Sequence, residues 1–96
     1  MITVSVLAVL DIAAFLDGRR QTLSIPEGSC VKDLLDVLIS RYGRPLADRL
    51  YQPGSEELRS DIHLFLNGRN ICFQKGLATL LKDGNELLFI PSAGGG

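Results

Sequence analysis

Apolar and polar residues alternate through Ile2-Thr3-Val4-Ser5-Val6, and a period of two predicts a half-buried strand. Arg20 to Ile25 alternates again, with Leu23 and Ile25 on one side and Thr22 and Ser24 on the other. Between them, Leu10 to Leu16 carries apolar residues closely enough for a turn of helix, and Asp17-Gly18 reverses the chain. The two strands therefore read as an antiparallel hairpin with a long connection. Pro26-Glu27-Gly28 stops the second strand, and the period then changes. Val31, Leu34, Leu35, Leu38, Ile39 and Tyr42 fall at i, i+3, i+4, i+7, i+8 and i+11, which is one apolar stripe along a helix. Lys32, Asp33, Asp36 and Ser40 take the wet side. Ser29 or Cys30 can cap the start, and Asp33 in the first turn suits the positive end of the helix dipole. Arg41 lies in the last turn, Gly43 supplies the residue that closes it, and Pro45 prevents continuation. This places the main helix at about residues 30–42.

Leu46 to Leu50 adds a helical turn, and Tyr51 to Ser60 reads as loop. Ile62, Leu64 and Leu66 alternate with His63 and Phe65 in a third strand, closed by Asn67-Gly68, the commonest two-residue hairpin turn. Asn70 to Phe73 reads as a short return strand, and Gly76 to Leu81 as a loop with a helical turn. Asp83-Gly84 reverses the chain into Glu86 to Ile90. The near-continuous apolar run of this last strand predicts burial on both faces or a central place in the sheet. The order predicts an α+β domain in which one helix covers one face of a small mixed sheet. The domain spans residues 1–91, and residues 92–96 form a flexible glycine tail.

Ninety-six residues with 46% hydrophobic and 22% charged side chains make one domain with a workable core. Net charge is −1 with both signs interspersed, so no basic stripe offers itself to phosphates and nucleic-acid binding is not expected. The apolar opening, Ile2 to Leu16, has no positive flank, is interrupted by Asp11 and is too short to span a bilayer. A cytoplasmic protein without a membrane partner is the expectation. Cys30 and Cys72 have no metal or redox spacing and read as buried or weakly capping thiols. His63 is the only histidine, so neither a histidine-based triad nor a multi-histidine metal site can be built from one chain. Catalytic residues and a resident metal are accordingly not assigned.

The chemistry lies in Gly94-Gly95-Gly96, which follow directly on the apolar final strand. A terminal glycine presents a carboxylate with no side chain beside it, on a backbone free to take almost any φ/ψ. Such an end can thread a narrow channel into another protein's active site. Pro91 fixes the direction in which the chain leaves the sheet. Phe65, on the opposite side of its strand from Leu64 and Leu66, is a candidate apolar contact for a partner, as is Pro91; packing of Phe65 under a neighbouring loop is the plain alternative.

With the elements in place, the chain resembles the ubiquitin-like β-grasp sulfur carriers, above all the small subunit of molybdopterin synthase. The resemblance is carried by Leu23-Ser24-Ile25-Pro26-Glu27-Gly28 and Val31-Lys32-Asp33-Leu34-Leu35, then by Leu66-Asn67-Gly68-Arg69 and the run Gly76 to Glu86. Phe89-Ile90-Pro91-Ser92-Ala93-Gly94-Gly95-Gly96 completes it. It implies a β-grasp fold with a four- to five-stranded sheet on one main helix. It also implies a carrier rather than an enzyme, and a tail whose last glycine, Gly96, is the covalent attachment point. A partner adenylyltransferase resembling ubiquitin-activating enzymes would use ATP and Mg to form the acyl-adenylate. A sulfur donor such as a cysteine desulfurase or rhodanese would then convert it to a thiocarboxylate. A larger catalytic synthase subunit would receive the sulfur for a pterin dithiolene in molybdenum or tungsten cofactor biosynthesis. The same activated glycine could instead be joined to lysines of other proteins, or serve thiamine, tRNA thiolation or amino-acid synthesis. Two positions depart from the family pattern: Ser92 stands where a second proline is usual, and Gly94 where a larger residue is usual. Spacing from Pro91 favours Gly95-Gly96 over Gly94-Gly95 as the functional pair.

Overall fold

The computed structural model describes residues 1–92. Five strands form one sheet: β1 (Ile2–Ala8), β2 (Arg20–Ile25), β3 (Ile62–Leu66), β4 (Arg69–Asn70) and β5 (Glu86–Pro91). Their spatial order is β2-β1-β5-β3-β4. β1 runs antiparallel to β2 but parallel to β5, and β3 is antiparallel to both β5 and β4. The sheet is therefore mixed, with the last strand at its centre. Three helices complete the fold: α1 (Ile12–Phe15), α2 (Val31–Tyr42) and α3 (Arg44–Leu50). This is the β-grasp arrangement that the resemblance implies.

α2 forms where the stripe places it. Val31, Leu34, Leu35 and Leu38 are fully buried against one face of the sheet, while Ile39 and Tyr42 lie half-buried at its edge. Burying each such leucine contributes about 1.5–3 kcal/mol. Cys30 is the N-cap residue, and the Asp33 carboxylate accepts its backbone N–H at 2.9 Å. That bond holds the Asp33 carboxyl below its ordinary value. At the other end Gly43 adopts φ +84, a left-handed conformation that favours glycine, and its N–H donates to the Ile39 carbonyl at 2.7 Å. Pro45 then sits in the first turn of α3, so two short helices replace one long one.

The facing side chains close the core. Val4, Val6, Leu64, Leu87 and Phe89 are essentially inaccessible, and Phe89 is the largest of the fully buried side chains. Two expectations change. The return strand expected over Asn70 to Phe73 is only Arg69–Asn70, followed by a turn of 3-10 helix at Ile71–Phe73. The Asn70 side chain accepts the Cys72 N–H at 2.9 Å and tightens the backbone out of the extended form. Ile71 drops into the core as a result. Cys72 is exposed in that turn rather than buried or capping, whereas Cys30 is the half-buried cap. The apolar final strand does lie centrally, but only Leu87, Phe89 and Pro91 are buried; Leu88 and Ile90 are half-exposed on the other face.

Candidate functional site

The uncovered face of the sheet is built by the residues of opposite parity to the core. Leu88 lies at the centre of β5, with Leu7 of β1 opposite it on one side and Phe65 of β3 on the other. Ile90 follows on β5, opposite His63. All five are half-buried, so their neighbours shield them in part. The row is bounded by polar residues on the outer strands: Arg20 faces Leu7, and Asn70 faces Phe65. Arg20 also reaches Glu86 at 3.2 Å. A small apolar patch with a polar rim is the usual composition of a docking surface. Phe65, singled out from its parity alone, is part of this patch. Leu7, Leu88 and Ile90 were not singled out, and the signal that could have found them is their shared parity once β5 is known to be central. Phe73 is the most exposed aromatic ring, at 82% of its surface, and stands apart in the 3-10 turn.

β5 leads from this patch towards the tail. Pro91 is buried, opposite Ile62, and its side chain falls on the helix-covered side with Leu87 and Phe89. What Pro91 offers is a fixed direction of exit more than accessible surface. The ladder continues through Ser92, whose N–H donates to the Asp61 carbonyl at 2.7 Å. The Ser92 hydroxyl lies 2.6 Å from His63 Nε2. Gly94, Gly95 and Gly96 lie outside the described residues.

An ion network fixes the body on which this root stands. Arg49 of α3 forks onto Asp11, Nε to Oδ2 at 2.7 Å and Nη2 to Oδ1 at 3.3 Å. Its Nη1 reaches Asp61 Oδ2 at 3.3 Å, and Arg59 donates to Asp61 Oδ1 at 3.2 Å. The hydrogen bonds from Arg49 hold the Asp11 carboxyl below its ordinary value. Burial pushes Asp61 up, but the Arg59 hydrogen bond and the charges of Arg49 and Arg59 outweigh it and leave Asp61 low as well. α3, the turn before α1 and the start of β3 are thereby tied together beside the tail root. Among the described residues no group of three or more His, Cys, Asp or Glu side chains could hold a metal ion. No described helix is long and apolar enough to cross a membrane. The arrangement combines a fixed exit point for the chain with a half-buried apolar row beside it.

Known proteins share this architecture. A model described as the ThiS family matches residues 8–96. A protein of Archaeoglobus fulgidus, described as a candidate sulfur carrier, is 35% identical over 66 residues, which cover 69% of this chain and 73% of that protein. The solution structure of small archaeal modifier protein 1 from Methanosarcina acetivorans superposes with a TM-score of 0.84 at 31% identity, covering 100% of this chain and 98% of that one. A chain of the BexX/CysO complex from Amycolatopsis orientalis superposes with a TM-score of 0.74 at 28% identity, covering 97% and 99%.

Proposed function

We infer the function from the family to which the chain belongs, the ThiS family, whose model matches residues 8–96: it is a sulfur carrier that acts as co-substrate rather than catalyst. Gly96 is the acyl end. A partner adenylyltransferase activates its carboxylate with Mg-ATP, releasing pyrophosphate. The outer sulfur of a persulfide on a cysteine desulfurase or rhodanese then displaces AMP to form an acyl disulfide. A second thiol attacks the donor's sulfur of that bond, which joins the two thiols in a disulfide and leaves the carrier with a terminal thiocarboxylate. Activation is needed because a carboxylate repels nucleophiles and its oxygen is a poor leaving group, and adenylation removes both obstacles. The thiocarboxylate then offers nucleophilic sulfur without release of free sulfide.

The observation that carries this reading is the placement of β5. The strand at the centre of the sheet runs out at Ser92, four residues before Gly96, with the uncovered patch of Leu7, Phe65, Leu88 and Ile90 beside it. A partner that covers the patch has the tail root at the edge of its footprint, and so receives body and acyl end together. A chain that superposes on this one occurs in the BexX/CysO complex, which supports a body that docks on a second protein. The spacing from Pro91 to the terminus favours a larger synthase subunit and a pterin dithiolene as the final acceptor. The relative named as a modifier protein favours, as a second reading, transfer of the same activated glycine to lysines.

Intact mass separates these readings. A chain ending natively at Gly96 is incubated with ATP, its cognate activating enzyme and a sulfur source. Replacement of one oxygen by sulfur supports the carrier, and a ladder of heavier conjugates supports the modifier. An unchanged mass with an enzyme that is active on another carrier would overturn both.

A further inference from the structure

Proline at position 92 would fix φ where the chain leaves the sheet, and serine does not. In its place the structure supplies two bonds. The Ser92 N–H donates to the Asp61 carbonyl at 2.7 Å, and its Oγ lies 2.6 Å from His63 Nε2. His63 faces Ile90 in register, so Ser92 is its diagonal neighbour on the uncovered face, within reach of an imidazole. A hydroxyl both donates and accepts, so this bond forms with either tautomer of the ring. The other anchor is also held, because Asp61 takes a hydrogen bond from Arg49 on one oxygen and from Arg59 on the other. Both supports of Ser92 therefore belong to the rigid body.

We propose that His63 and Ser92 form a clamp that sets the root of the tail, holding the chain at Ser92 in one direction of exit when the acyl end enters a partner's active site. The proposal rests on the sulfur-carrier reading and adds positioning residues to it. Four residues span at most about 14 Å when fully extended, so the partner's adenylating centre lies within that distance of Ser92. Opening the clamp adds one more residue to be ordered on binding. The tail is equally ordered in the bound complex and in the transition state, so the loss falls on KM and spares kcat.

The test has two arms. In the free protein, amide exchange at Ser92 is compared between wild type, Ser92→Ala, His63→Ala and the double variant, with Tm measured alongside. Protection at position 92 is expected to fall several-fold in each variant at unchanged Tm. In the second arm, ATP–pyrophosphate exchange with the cognate activating enzyme gives KM and kcat for the carrier. KM is expected to rise about fivefold in each single variant, equivalent to about 1 kcal/mol, with kcat unchanged. The double variant should be no worse than either single one, because the two side chains act as a unit. Ser92→Thr, which keeps both the hydroxyl and the N–H, should retain the wild-type KM. Wild-type exchange protection in Ser92→Ala, additive losses in the double variant, or failure of Ser92→Thr as severe as that of Ser92→Ala would each overturn the clamp. If the wild-type chain supports no pyrophosphate exchange at all, the carrier reading fails, and the protection of Ser92 still decides the clamp.

Discussion

The same strands present two faces that have opposite relations to water. On the face under α2, Val4, Val6, Leu64, Leu87 and Phe89 keep at most about 1% of their surface accessible. On the other, Leu7, Phe65, Leu88 and Ile90 are only half-buried, although they belong to the same strands and are as apolar. The difference is the number of layers. One main helix is enough to close one face of a small sheet, and among the described residues the core side chains lie on that face. Apolar residues on the uncovered face therefore contribute less to folding than their counterparts, and they leave free energy to be gained when a partner covers them. Buried and half-exposed side chains are divided between odd and even positions of β5.

The sharpest way to break that division is Phe89→Ala. The ring is fully buried at the centre of the sheet, and its loss should cost about 3–5 kcal/mol in chemical denaturation, enough to unfold much of the population. A cost below about 1 kcal/mol would mean that the two faces are not distinct. The adjacent position gives the contrast. Leu88→Ser removes the middle of the uncovered row and should lower stability by about 1 kcal/mol or less. Binding to the activating enzyme or synthase subunit, read by titration calorimetry, should weaken about 10- to 100-fold if Leu88 is a central contact. Unchanged affinity would move the docking surface elsewhere on the molecule.

Much of the covered face was legible in the sequence because it depends on local period. The i, i+3, i+4 stripe from Val31 to Tyr42, the alternation at Ile2 and at Ile62, and Asn67-Gly68 each encode one element with its own turn chemistry. In that turn Asn67 and Gly68 adopt φ +50 and +83, the left-handed pair that this dipeptide favours. Parity also separated Phe65 from Leu64 and Leu66, although it could not say that Leu7 and Leu88 join it. That depends on β5 inserting between β1 and β3, a long-range pairing with no local signature. The site's polar contacts are of the same kind. His63 and Ser92 are 29 residues apart, and Arg49 and Asp11 are 38 apart; only the folded register brings either pair together. At Asn70 the reading failed for the opposite reason: a side-chain cap to the Cys72 N–H overrode a weak strand pattern.

The ion network beside the tail root sharpens the comparison from the polar side. Asp11 and Asp61 both titrate below their ordinary values in the folded state. For carboxyls depressed in this way, the stabilisation is fully present above the unfolded value, near pH 4, and is lost as pH falls through the lower folded values. Arg49→Ala should therefore cost about 1 kcal/mol at neutral pH, the upper end for ion pairs within reach of solvent. It should also flatten the fall in stability on acidification below about pH 4. Denaturation curves across that range check the sign: a variant that loses stability as steeply as wild type on acidification would show that Arg49 does not set these carboxyls.

The smallest expected effect on folding accompanies the largest on function. Deleting Gly95 and Gly96 removes no side chain and leaves intact Phe89, Pro91 and the Ser92 bonds to Asp61 and His63. The melting temperature should stay within about 1 °C of wild type, since glycine contributes no apolar burial and a shift of a few degrees would need about 1 kcal/mol. Sulfur transfer, read as the one-oxygen-for-sulfur mass change, should vanish, because the acyl carbon would recede by about 7 Å from a centre that the shortened tail cannot follow. A variant that melts several degrees lower would tie the glycines to the core. A variant that still gains sulfur would place the reactive group somewhere other than Gly96.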